Sequence, residues 1–200
     1  MDNDKTNTKP SEMNPEDLPD VRAFHDEFTR EFLQSAEETR EGYYPFLSGT
    51  GAYKMDFPAG GVIGEQGYSK EKKDFESFII GVENDNGTES SIEMKYYSYK
   101  RSEFASSGMG NLEKSMGKEL QFKKVSEQGK TYYFAPFKRD SNIYGYASFI
   151  QNEVDGGGIL VIYTTECNES GTECEKIKES EKEKIVSWLK SIEFIQLNKG

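Results

Sequence analysis

Two side chains in this sequence have the types and spacing for covalent chemistry. Cys167 and Cys174 are the only cysteines, separated by six residues. Joined, they close an eight-residue loop, a cross-link that contributes about 2.5 kcal/mol through the entropy it removes from the unfolded chain. Such bonds persist in oxidising compartments, so a disulfide here places the protein outside the cytoplasm. Reduced, Cys174 falls in the first turn of the last helix, whose positive end lowers a thiol pKa; a thiol-based redox centre is therefore the alternative. Dithiol catalysts favour the shorter Cys-X-X-Cys spacing, so the structural cross-link is the expected role. Two cysteines without further soft ligands do not make a metal site, and no metal is expected.

His25 is the only histidine. It stands one residue off an apolar stripe of Phe24, Phe28 and Phe32, and no local nucleophile or carboxylate completes a triad with it. A position at the core boundary is expected, not a catalytic one. The run Glu83-Asn84-Asp85-Asn86-Gly87-Thr88 has the outline of a calcium loop. Its first ligand position falls on Val82, whose side chain has no oxygen, so a turn is expected. Gly49-Thr50-Gly51 and Gly60-Gly61 lack the glycine spacing, lysine and following helix of a phosphate-cradling loop. With 36 carboxylates, acidic pairs arise by number alone and single out no glycosidase-like arrangement. No catalytic residue and no cofactor are assigned, and a hydrolase or thiol enzyme is the second reading behind a binding protein.

Binding chemistry has the better claim. Of the twelve tyrosines, Tyr43, Tyr44, Tyr97 and Tyr99 are the candidates for surface or groove positions. Such amphipathic rings give contact area at low entropic cost, although tyrosine is also an ordinary strand residue, and packing under a helix is the competing role. The net charge of −11 and pI near 4.8 narrow the partners. Nucleic-acid affinity needs clustered Lys and Arg, and here the lysines are scattered. The same acidity repels anionic lipid head groups, and no apolar run approaches the roughly 20 residues that cross a bilayer. A protein partner or an envelope ligand is expected, bound by a monomer.

These residues need a scaffold, and the pattern of the chain supplies one. Residues 1–18 are polar and proline-containing, with almost nothing to bury, and read as a flexible linker with a reach of roughly 20–25 Å. This segment resembles the linker of bacterial lipoproteins, which follows a lipid-modified cysteine. The resemblance implies that Met1 stands where that cysteine was, and that the membrane is reached only through a lipid anchor. Residues 19–200 read as one domain. Val21, Phe24, Phe28, Phe32 and Ala36 recur at helical spacing and predict an amphipathic helix over 19–41, followed by an aromatic connector.

From Ala52 the period changes to two. Strands are expected over 53–57, 62–68, 75–83 and 90–100, with a short or broken helix over 101–117. A hairpin about Gln128-Gly129 joins 120–125 to 131–137, and a second about Asp155-Gly156-Gly157-Gly158 joins 144–153 to 159–165. The runs at 132–135 and 159–163 are apolar on both faces, which places them inside a sheet covered on each side. A final helix starts at the capping box Thr172-Glu173-Cys174-Glu175. Its face of interleaved charges, with Glu175–Lys178, Glu179–Lys182 and Glu181–Lys184 as pairs, is expected to be solvated.

The fold class is thus α/β of the α+β type, a central antiparallel sheet with helices on both faces. The order of elements, from Tyr53-Lys54-Met55-Asp56-Phe57-Pro58 through successive hairpins to Trp188-Leu189-Lys190-Ser191-Ile192-Glu193-Phe194-Ile195, resembles the PsbP-like sandwich over residues 52–197. That fold occurs in accessory proteins, including the extrinsic PsbP protein of photosystem II, and in extracytoplasmic lipoproteins. The resemblance implies a non-catalytic accessory or binding role in the bacterial cell envelope and carries over no functional residue.

Overall fold

The computed structural model describes residues 8–99, 105–167 and 172–196; of Thr172, Glu173 and Cys174 it describes the backbone alone. Among these residues two antiparallel sheets and four α-helical segments build an α+β sandwich. The strands of the larger sheet are β3 (Gly61–Ile63), β4 (Ser69–Glu71), β5 (Phe75–Glu83), β6 (Glu89–Tyr97), β7 (Lys123–Glu127), β8 (Lys130–Lys138), β9 (Ile143–Asn152) and β10 (Gly158–Glu166), in the order β3-β5-β6-β10-β9-β8-β7, with β4 also on β5. The smaller sheet is β1 (Tyr43–Leu47), β2 (Tyr53–Pro58) and β11 (Glu193–Phe194). β10 lies in the middle of the large sheet, as its two apolar faces required.

Period-two alternation sends alternate side chains to two different cores. One face of the large sheet presents Phe78, Ile80, Ile92, Met94, Ile159, Val161 and Ile150. It is covered by the small sheet, by the N-terminal segment, and by α4 (Thr172–Lys190) with Ile185, Trp188 and Leu189. Trp188 is fixed there twice: its ring meets Tyr163 edge-on at 5.4 Å, and its Nε1 donates to the Asp56 carbonyl at 2.8 Å. The buried Glu76 carboxylate also points to this side. It accepts from the Gly49 amide (2.7 Å), the Tyr68 hydroxyl (3.0 Å) and the Thr50 hydroxyl (3.1 Å), which fixes the loop between β1 and β2.

The opposite face carries Phe149, Leu160, Ala147 and Ala135 under α3 (Ala105–Met116). Of the two forms expected, short or broken, this helix takes the first: it is short and continuous through Gly108 and Gly110. Gly108 is there for close approach: a Cβ on it would lie 2.9 Å from the Phe149 ring. The hairpin turns fall as expected, and Gly156 and Gly157 hold the positive φ values of 79° and 95° that the β9–β10 connection needs.

The N-terminal region departs from expectation. The helix predicted over 19–41 is two single turns, α1 (Arg22–His25) and α2 (Glu27–Arg30), followed by extended chain in which Leu33 bridges Phe46. Asp26 is the cause. Its extended backbone ends the first turn, and its carboxylate caps the second by accepting from the Thr29 amide at 2.8 Å and hydroxyl at 2.6 Å. Phe24 and Phe32 still reach the core. Residues 8–18, expected as part of a flexible linker, form two 3-10 turns at Pro10–Glu12 and Pro15–Asp17, with Pro10 buried. The rest of that linker lies outside the described residues. The aromatic connector is strand β1, and Pro45 is tolerated within it because β1 is an edge strand. The expected strand over 62–68 stops early: β3 ends at Ile63, a 3-10 turn occupies Glu65–Gly67, and β4 lies beyond the expected span.

Candidate functional site

The covering of the second face is incomplete. α3 packs over β9 and β10, and the neighbouring half of that face, on β5 and β6, has no helix on it among the described residues. Its outward residues include Ile79, 45% exposed, along with Ser91, Glu93 and Lys95. Where the helix meets the bare half a groove of about 280 Å³ opens. Tyr97 of β6, Leu160 and Ile162 of β10 and Leu112 of α3 give it an apolar base, and the Glu93–Lys95 ion pair and Lys114 give it polar sides.

An aromatic row borders the groove. Register pairs Phe75 with Tyr97 across β5 and β6, and their rings lie 5.2 Å apart. Tyr99, just past the end of β6, sets its ring edge-on to Tyr97 at 5.6 Å. Tyr99 is 65% exposed while Tyr97 is half-buried, so the row runs from the groove out to solvent. Partial burial raises the Tyr97 pKa, against the pull of Lys95, and the hydroxyl therefore meets any partner as a neutral donor and acceptor.

The four tyrosines singled out from sequence thus separate into two pairs. Tyr97 and Tyr99 come together at the groove. Tyr43 and Tyr44 do not join them and are not at the surface: both are buried in the large core. Tyr43 lies under the Arg40 guanidinium at 3.8 Å, and Tyr44 meets Phe24 edge-on at 4.7 Å. Adjacent in β1, they point to opposite faces of the small sheet, and both faces are covered there. Phe75 was missed in the sequence. Counting back from the turn at 84–88 pairs it with Tyr97, so the signal was present in the hairpin register.

Cys167 is buried beside Tyr144 and Ile177, while the Cys174 side chain, and with it the expected cross-link, lies outside the described residues. His25 is at the surface, its Nε2 2.9 Å from an Asp20 carboxylate oxygen. The supposed calcium loop is a hairpin turn whose side chains bond one another: Asn84 donates to Thr88 and Ser90, and Asn86 accepts from the Thr88 amide. Among the described residues no three His, Cys, Asp or Glu side chains gather as a metal site. No described helix is long and apolar enough to cross a membrane.

Comparison with known proteins places these features in a family. A family model described as "Putative lipoprotein YvcA" matches residues 19–193. A protein of the same description from Bacillus subtilis (strain 168) is 31% identical over 216 aligned residues, covering 97% of this chain and 88% of that protein. No solved structure matches the chain. With its folded domain spanned by the family model, the chain belongs to the YvcA lipoprotein family.

Proposed function

We propose that this protein is an accessory binding lipoprotein of the bacterial cell envelope, held to the membrane by a lipid at its native N-terminus and working outside the cytoplasm. Its groove beside α3 receives a protein partner. The observation that carries this reading is the row Phe75, Tyr97 and Tyr99, in which Tyr97 lines a groove with an apolar base and Tyr99 is a ring 65% exposed. Aromatic anchors of this kind dominate interface energetics. Membership of a lipoprotein family supports the anchored location, and the PsbP-like resemblance, with its accessory members, supports a role in assembly. Within the same reading Cys167 and Cys174 form a disulfide, consistent with the burial of Cys167 and with an oxidising compartment.

The decisive experiment is cross-linking in intact envelopes with the native, anchored protein, followed by identification of the product. A single partner is expected, lost on Tyr97→Ala and Tyr99→Ala while the circular dichroism stays native. A partner retained in both variants removes the groove from the reading. Thiol titration without reductant on protein from its own compartment is expected to find no alkylatable cysteine, and two reactive thiols would refute the cross-link.

A further inference from the structure

A second cavity lies on the other face of the large sheet, between α4 and the β7–β9 end, with a volume of about 200 Å³. Phe134 and Pro136 of β8, Tyr146 of β9 and Val186 of α4 give it an apolar lining. Its charges come from two directions. Lys178 and Lys182 stand on α4 at four-residue spacing with Val186, so all three share one side of the helix. Lys123 of β7 stands opposite Phe134 in the ladder. Glu179 is the one acidic side chain of the lining among the described residues.

The expected charge pairs on α4 form selectively. Lys178 meets Glu175 at 3.5 Å, and Lys184 meets Glu181 at 3.4 Å with Glu181 buried and accepting from Asn86 where a solvated pair was expected, but Glu179 and Lys182 make no ion pair among the described residues. Lys123 likewise has none among them. An acidic chain of net charge −11 therefore gathers three lysines, two of them unneutralised, around an apolar hollow. Lysine stems can extend that apolar surface while the ammonium groups stay at the mouth. Apolar side chains and three lysines in one lining, against a single carboxylate, complement one kind of small molecule, an alkyl chain with an anionic head. A hollow of about 200 Å³ limits the occupant to a short chain.

We propose that this cavity binds a short-chain amphipathic anion, its alkyl chain against Phe134, Pro136, Tyr146 and Val186 and its carboxylate or phosphate head at Lys123 and Lys182. The site is separate from the groove beside α3 and stands or falls without it. Titration calorimetry on the whole chain tests it, with octanoate and octyl phosphate as the two anionic heads and octyltrimethylammonium as the cationic control. Saturable binding of at least one anion is expected, weakened at least tenfold in the double variant Lys123→Glu, Lys182→Glu and in Val186→Trp, which fills the hollow. Circular dichroism confirms that both variants fold. Absence of binding by either anion, equal binding of the cation, or binding unchanged in both variants overturns the proposal.

Discussion

The two faces of the large sheet are built from the same strands and treated in opposite ways. One lies under the small sheet, α4 and the N-terminal turns, and its rings interlock: Phe46 stacks on Phe32 and Phe57 at 5.7 and 5.8 Å, and Tyr53 meets Tyr96 at 5.7 Å. The other is roofed by α3 over β9 and β10 and is left without a helix over β5 and β6 among the described residues. Aromatic residues serve both faces, so residue type alone does not separate structure from function. What separates them is whether another layer lies on top.

The largest test of that contrast is alkaline titration. Burial raises the pKa of Tyr53, Tyr163 and Tyr132, and pushes that of Tyr144 up to about 12. Each is neutral when folded and has a reference value of about 10 when unfolded. Stability from these groups is fully present below pH ~10 and is lost as the pH rises through the higher folded values. The main rise in tyrosinate absorbance is expected to coincide with loss of far-ultraviolet circular dichroism. A native spectrum persisting after that rise would mean that the covered face is not sealed.

Trp188→Ala removes the anchor between α4 and the sheet and leaves the Asp56 carbonyl without its donor. A loss of about 4 kcal/mol is expected in urea unfolding, and a loss below about 1 kcal/mol would show that the layer collapses onto the cavity. On the other face, Gly108→Val drives methyl groups into the Phe149 ring and lifts α3. A cost of about 1.5 kcal/mol is expected, together with weakened partner capture because the groove changes shape. Unchanged stability would indicate that α3 rests loosely on the sheet. Smallest of all, Tyr99→Ala is expected to alter stability by no more than about 0.5 kcal/mol while reducing partner binding, so that exposure and function part company from packing.

The strands were legible because period two and turn chemistry are local. The turns at 84–88, 128–129 and 155–158 set the register of three hairpins, and through it the pairing of Phe75 with Tyr97. The N-terminal helix was misread because Phe24, Phe28 and Phe32 satisfy helical spacing whether or not the backbone between them is helical. The competing signal was Asp26 three residues before Thr29, a cap written inside the supposed helix. Of the aromatic row at the candidate site, Tyr97 and Tyr99 were visible and Phe75 was not. Tyr97 and Tyr99 end a strand that a hairpin positions, whereas Tyr44 is covered by Phe24, twenty residues upstream, and both Tyr43 and Tyr44 join a core that includes Trp188 and Leu189 of α4. No local pattern reports that layering.

The N-terminal turns have a mechanical consequence. Pro10–Glu12 packs against α2, and α2 belongs to the layer on the covered face, so a pull on the chain start is delivered to the side of the sheet away from the aromatic groove. If the proposed mooring at the N-terminus holds, tension on it would load that covered side and leave the groove face unloaded.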